Sequence, residues 1–141
     1  MTDQPIQSIP MTDKELTARI TADLLSLPDE LRRAESLGAQ FRAELAAAKA
    51  ALADAELTAQ INAVPDGKNA EARKLQADKA VHDDPTAQAA RAKVYELESA
   101  VSAAEVDAKG LVRQWSAALA LCELQAAKIN FYHDQKKGEM K

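Results

Sequence analysis

The sequence predicts an all-α fold in the form of a long antiparallel helical hairpin, similar to a coiled coil. The main observation is a pair of apolar stripes whose members are spaced alternately three and four residues apart, from Leu31 to Ala59 and from Val94 to Tyr132. The two arms, residues 13–63 and 85–134, have nearly equal lengths and would each span about 75 Å as helices. A polar segment separates them, where a hairpin would turn.

The N-terminal residues predict a flexible arm followed by a helix. Residues 1–11 contain two prolines and no periodic apolar pattern, so we expect a flexible arm ahead of a single domain over residues 12–141. Thr12 and Glu15 have the spacing of a capping box, in which each side chain bonds the other residue's backbone amide. A helix is therefore expected to start at this point.

Pro28 interrupts the apolar stripe of the first arm. Because proline has no amide hydrogen, we expect a kink or a short break there, with Ser26 capping the segment that follows. The sequence leaves open whether residues 12–27 continue the first long helix or fold back on the hairpin.

The tip of the hairpin contains a predicted turn and a short helix. Residues 64–67 (VPDG) are turn formers. A short helix is expected from about 70 to 81 with Asn69 as its cap. Asp84 followed by Pro85 then predicts the start of the long closing helix, because aspartate caps well and proline is tolerated in a first turn.

The equal arms also predict a register. An antiparallel hairpin would bring together residues whose numbers add to about 148, placing Trp115 opposite Ala34 with Gly38 one turn away. Small residues facing a large one fill a seam at constant helix separation. We therefore expect Gly38→Leu to overpack this level.

The core is predicted to be thin, which favours self-association. Of 141 residues 31 are alanine, and aromatic residues make up only 4%. Cys122 and Tyr132 lie on the second stripe, so both are expected to be buried in the core. Other apolar residues lie off that stripe where one partner helix cannot cover them, and they form the predicted homo-oligomer interface: Val112, Leu119, Leu121, Leu124 and Phe131. The alternative is a monomeric three-helix bundle in which residues 12–27 cover this surface.

The chain offers little material for catalysis. His82 and His133 lie in polar segments about fifty residues apart, without the spacing of metal ligands and away from any nucleophile. Asp83 and Asp84 are explained as helix caps. The sequence therefore predicts a protein that is not an enzyme, with no catalytic residue, no metal site and no cofactor.

The charge pattern leaves two candidate nucleic-acid-binding clusters. The net charge of -4 argues against a general nucleic-acid coat, but the acidity is concentrated in residues 1–63. One basic cluster lies at the tip, and another lies near the C-terminus: Lys68, Arg73, Lys74 and Lys79 in the first, and Lys128, Lys136, Lys137 and Lys141 in the second. The alternative interpretation is that these bases are ordinary solvated helix faces.

The sequence favours a cytoplasmic, soluble protein. It has no basic and apolar leader and no run of about 18 apolar residues, which predicts that no membrane is involved. A lone cysteine suits a reducing compartment.

The order of parts resembles bacteriophage recombination mediators of the UvsY type. The similar parts are a helix ending in a polar turn (AVPDGKN), a basic stretch (EARKLQADKA), an acidic break (HDDP) and a long closing helix containing RQWSAALALC. The resemblance implies a ring-forming, non-enzymatic protein that binds single-stranded DNA. It also implies that the protein helps to load a recombinase onto strands covered by single-strand-binding protein.

Two functions are expected from these observations. The first is a homo-oligomeric accessory of phage DNA recombination that binds single-stranded DNA and a recombinase or single-strand-binding protein. The second is a structural or assembly protein, either a virion component or a chaperone, that binds other helices through coiled-coil contacts. A third interpretation is an inhibitor of a host enzyme whose acidic N-terminal half imitates phosphates.

Overall fold

The structure, a computed structural model, is all-α over the residues it describes, which are 12–63 and 66–140. It contains α1 (Asp13–Asn62), α2 (Ala70–Asp83) and α3 (Pro85–Glu139), and no strand in that part of the chain. The predicted arm over residues 1–11 lies outside the described residues, as do Val64 and Pro65 of the predicted turn. The all-α prediction is confirmed.

The predicted caps are found at all three helix starts. The Thr12 amide donates to Glu15 Oε2 at 2.8 Å, and the Glu15 amide donates to Thr12 Oγ1 at 3.2 Å. Asn69 Oδ1 accepts from the Ala72 amide at 2.8 Å and caps α2. Each bond satisfies an amide that has no partner inside its helix.

The start of α3 is also capped by a side chain. Asp84 Oδ2 accepts the Ala87 amide at 2.8 Å, and Pro85 is the first residue of the helix. Proline costs little there because the first amides of a helix have no internal acceptor.

Of the two alternatives expected at Pro28, the short break is wrong and the kink stays a prediction. α1 is one helix from Asp13 to Asn62 with Pro28 inside it, so Ser26 is not a cap and residues 12–27 continue the helix. Proline removes one backbone hydrogen bond. Burial of Ile20 and Leu27 on the same stripe stabilises the helix on this side of the proline.

The contacts of the chain divide into two compact units, residues 1–32 with 109–141 and residues 33–108. Whether they form the predicted single domain stays a prediction. In the first unit the buried residues are Ile20, Leu27 and Ala118. Ala118 belongs to the predicted stripe of α3, and Ile20 and Leu27 lie seven residues apart on one side of α1, so each helix buries one face and leaves the rest to solvent.

In the second unit three ion pairs join α1 to α3 at intervals of seven residues. They are Arg42 with Glu105 at 3.9 Å, Lys49 with Glu98 at 3.0 Å and Glu56 with Arg91 at 2.9 Å. In each pair the two residue numbers add to 147, close to the predicted 148. Seven residues are two helical turns, so the three pairs lie along one edge of the packed stripes.

Arg91 connects all three helices of the second unit. Its guanidinium donates from Nε and Nη2 to Glu56 Oε1 on α1, and from Nη2 to the carbonyl oxygen of Val81 on α2 at 3.2 Å. The side chains of Arg91 and Glu56 are only 28% and 37% exposed, so solvent screens this pair less than the others. One side chain thus fixes the C-terminal turn of α2 against the long helices.

The loop before α2 is held by a short-range contact. The Asp66 amide donates to Gln76 Oε1 at 3.2 Å, and Gln76 Nε2 donates to Asp66 Oδ1 at 3.0 Å. A Cβ at Gly67 would lie 2.9 Å from the Ala72 Cβ, closer than carbon atoms pack. Glycine is required there because the loop passes directly over the first turn of α2.

Gly38 gives a direct test of the packing between α1 and α3 in the second unit. It is buried, and a Cβ built on it would lie 3.8 Å from the Ala104 Cβ, an ordinary contact. Gly38→Ala should raise the free energy of unfolding by about 1 kcal/mol through helix propensity. Gly38→Leu should lower it by about 1–3 kcal/mol through overpacking.

Chemical denaturation measures both changes, and Gly110→Ala is the matched control. A Cβ at Gly110 would meet nothing within 4 Å, so this change should give the propensity gain alone. If Gly38→Leu were as stable as the parent protein, the close approach to Ala104 would be contradicted.

The capping box predicts a pH dependence at the start of α1. Hydrogen bonds from Thr12, chiefly from its backbone amide, hold the pKa of Glu15 below its ordinary value. A lowered pKa in the folded state means that the ionised carboxylate stabilises the helix start above the unfolded pKa. This contribution should disappear as pH falls through the folded pKa.

A carboxyl titration followed by NMR measures this effect. We expect Glu15 to titrate below an unstructured glutamate, and we expect Glu15→Gln to remove the pH dependence of the helical shifts of residues 13–17. Titration of Glu15 at or above the value of the unstructured residue would contradict the box.

Candidate helix-association surface

The C-terminal half of α3 carries large apolar side chains that stay exposed. The five residues of the predicted oligomer interface are between 38% and 65% exposed: Val112, Leu119, Leu121, Leu124 and Phe131. In the same unit α1 packs on one stripe of α3, where Ala118 is buried and Trp115 is half-buried. One helix therefore covers one face of α3, as the sequence suggested, and the other apolar residues face solvent.

Helix geometry divides these five residues between two sides of the covered stripe. Successive residues are about 100° apart around an α-helix. Leu121, Leu124 and Phe131 consequently lie on one side, called here the leucine flank. Val112 and Leu119 lie on the other side, roughly opposite. The predicted interface is thus two surfaces, and the leucine flank is the larger.

The leucine flank has a regular spacing that the sequence analysis did not use. Ala117 and Lys128 lie on the same side of α3 and belong to the flank as well. Its five residues are separated by four, three, four and three positions: Ala117, Leu121, Leu124, Lys128 and Phe131. This is the spacing of a coiled-coil stripe, and all five residues are exposed. The sequence contains this spacing, which runs beside the longer stripe that includes Trp115.

Two predictions of burial on α3 are wrong. Cys122 is exposed, and Tyr132 is 55% exposed. Ala118 and Gln125, which belong to the same predicted stripe, are buried and half-buried, whereas Cys122 between them is exposed.

Tyr132 is exposed because it lies where α1 begins. Lys128 Nζ lies 3.1 Å from Asp13 Oδ1, and Asp13 is the first residue of α1. Only the first turns of α1 therefore lie near Tyr132, which lines a groove together with Lys14 and Thr17. This groove is open, has a volume of about 530 Å³ and lies beside the ion pair.

The basic cluster predicted at the tip does not lie on one helix face. Arg73, Lys74 and Lys79 are all exposed on α2, and Lys68 precedes the helix. Positions separated by one, five and six residues point in different directions around a helix. Glu71 and Asp78 lie among them. The structure thus presents these bases singly, where the sequence grouped them.

The basic cluster predicted near the C-terminus is described only in part, and whether it binds nucleic acid stays a prediction. Lys128 is paired with Asp13, and Lys141 lies outside the described residues. Lys136 and Lys137 are exposed in the last turn of α3, where positive charge also compensates the helix dipole. Two lysines remain available to a phosphate at this end.

A second groove, of about 430 Å³, lies in the unit formed by residues 33–108. Its lining is mostly small, including Ala55, Ala59 and Ala80, with Asp84 at its edge. Within the described ranges, 12–63 and 66–140, no three His, Cys, Asp or Glu side chains come together as ligands for a metal ion. None of the three described helices combines the length and the apolar character needed to cross a membrane.

Comparison with known proteins adds no relative. Neither the protein-family models, nor the curated proteins, nor the solved structures gave a match to this chain.

Proposed function

We propose that this chain is a non-enzymatic structural or assembly protein that works in the cytoplasm by binding other helices, including those of further copies of itself. The observation that carries the proposal is the exposed leucine flank of α3, with Leu124 at 65% and Phe131 at 60% exposure. Burying a leucine or phenylalanine contributes about 1.5–3 kcal/mol. Three such residues on one side of one helix therefore favour a partner.

The proposal includes an antiparallel, coiled-coil-like hairpin of α1 and α3. It is supported by the ion pairs that recur every seven residues in the second unit, from Arg42 with Glu105 to Glu56 with Arg91. Charged pairs at the edges of an apolar stripe fix register and orientation in coiled coils. In a hairpin of this kind one side of α3 packs on α1, and another side stays free for a partner.

The non-enzymatic part of the proposal rests on the residues available. His82 and His133 are both exposed and far apart in sequence. The two grooves have linings without a nucleophile paired with a base. Such surfaces suit binding better than chemistry.

Light scattering on the purified protein tests the proposal through Leu124→Asp. We expect the parent chain to self-associate and the variant to shift to the monomer, because a charge on the leucine flank would have to be buried. Leu25→Asp is the matched control, since Leu25 is 75% exposed on α1, away from this flank. A parent chain that is folded and monomeric up to about 1 mM would contradict self-association, because a weaker affinity corresponds to less than about 4 kcal/mol.

A second candidate function is the recombination accessory implied by the resemblance, binding single-stranded DNA together with a recombinase. The specific observation in its favour is that Arg73, Lys74, Lys136 and Lys137 are exposed. Assembly of several copies would multiply these bases around one strand, and affinity rises with the number of phosphates neutralised. We rank it second because the bases of a single copy do not lie on one face.

Fluorescence anisotropy with a labelled single-stranded oligonucleotide at low salt tests this second function. If it is correct, charge reversal by Arg73→Glu with Lys74→Glu should weaken binding about tenfold or more and reduce its salt dependence. Lys109→Glu, at an exposed position on α3, is the control and should have a smaller effect. Failure of the parent protein to bind at low salt would rule the function out.

A further inference from the structure

We infer that the occupant of the leucine flank is the same flank of a second copy, packed antiparallel about a two-fold axis that passes between Cys122 and Glu123. The inference rests on the proposed function and names its partner and geometry. It is argued from three properties of the flank: its spacing, the position of its one lysine, and the charges at its two ends.

The spacing of the flank defines which residues would meet. In an antiparallel pair of helices, every second stripe residue of one helix faces one of the remaining stripe residues of its partner. Leu121 of one copy then faces Leu124 of the second copy, and by symmetry the contact occurs twice. Next to these central layers, Ala117 faces Lys128 of the second copy. The largest apolar side chains thus meet at the centre of the contact.

Lys128 discriminates between the two possible orientations. In a parallel pair, equivalent positions face each other, so two Lys128 ammonium groups would meet within the stripe and repel. In the antiparallel pair Lys128 faces Ala117, which leaves room for its aliphatic stem. Its ammonium group is already held by Asp13 of its own chain at 3.1 Å. The lysine therefore favours the antiparallel arrangement.

Charges at the two ends of the flank are complementary in the same register. The spacing of the flank continues to positions 114 and 135. Arg113 and Asp134 each come one residue before one of these positions, and both are exposed. Neither makes an ion pair in the part of the chain that the structure describes. Antiparallel packing centred between residues 122 and 123 brings Arg113 of each copy to within about 3 Å along the helix axis of Asp134 of the other, a distance that a long arginine side chain spans. Two ion pairs would then close the ends of the contact.

Small residues occupy the edge between those ion pairs. Ala120 lies between Arg113 and Asp134 along this edge, as does Ala127, and both are exposed. In the inferred register Ala120 of one copy faces Ala127 of the other, so the two backbones can approach closely. The contact extends over residues 113–134, about 33 Å of helix.

Cysteine cross-linking tests the register in the full chain with Cys122 replaced by serine. Gln114→Cys and Phe131→Cys are prepared as separate proteins of different mass. The inferred arrangement places residue 114 of one copy opposite residue 131 of the other, while the two copies of residue 114 lie about 25 Å apart. We expect disulfide-linked heterodimers from the mixture and little linkage from either protein alone.

Exchanging the charges of Arg113 and Asp134 is an independent test in which every apolar residue is kept. Arg113→Asp places two like-charged pairs in the contact, as does Asp134→Arg, so each should raise the dimer dissociation constant about tenfold at low salt. The double variant R113D/D134R restores opposite charges by symmetry and should return to within about threefold of the parent. Circular dichroism checks that each variant keeps its helical content.

The outcomes separate this inference from the proposed function. Ready cross-linking of Gln114→Cys with itself would indicate a parallel pair and overturn the inference. Self-association with neither mixed cross-linking nor rescue by the double variant would overturn it while leaving the proposed function intact. A chain that stays monomeric would contradict both.

Discussion

The constraint on which this structure depends is that one helix can cover only one stripe of another. In each compact unit α1 and α3 contribute such stripes, and these are rich in alanine, with Ala59, Ala104 and Ala118 among the few buried residues. Small residues allow close packing but remove little apolar surface from water. The chain therefore forms long helices whose remaining apolar residues are left to contacts outside the chain.

Polar contacts determine the register in which the helices pack, which the thin apolar stripes leave undetermined. The three ion pairs in the second unit set the relation of α1 to α3, and Arg91 adds α2 through the Val81 carbonyl. Most of these groups are substantially exposed, so each contributes little free energy. Their regular spacing nevertheless excludes alternative registers, because a shifted stripe would separate all three pairs at once.

Periodicity and capping chemistry were sufficient to predict most of the fold. The bounds of α2 and the starts of α1 and α3 follow from Asn69, Thr12 and Asp84, whose caps depend on neighbours within three residues. The short break at Pro28 was one of two expected alternatives, and it does not form because burial of Ile20 and Leu27 offsets the local cost of the proline. Cys122 was misjudged because a place on a periodic stripe does not by itself establish burial: Ala118 and Gln125 on the same stripe are covered, and Cys122 is not.

The candidate surface could be predicted only in part. That Val112 and Leu124 would be exposed followed from counting apolar residues around the helix. Their separation onto opposite sides needed the position of α1, which covers Ala118 and Gln125. The pairing of Lys128 with Asp13 links residues 115 positions apart, and nothing local in the sequence signals such a contact. The faces on which the bases of the tip lie could not be predicted from their closeness in sequence, because neighbouring positions point in different directions around a helix.

Pro28 has a consequence for the motion of α1. The carbonyl oxygen of Leu24 would normally accept the amide of residue 28, and proline has none to offer. The turns of α1 before Pro28 can therefore move relative to the rest of the helix without breaking a backbone hydrogen bond at the level of Leu24. Protection against hydrogen exchange should accordingly change at Pro28, with the N-terminal turns behaving as a separate and weaker cooperative segment.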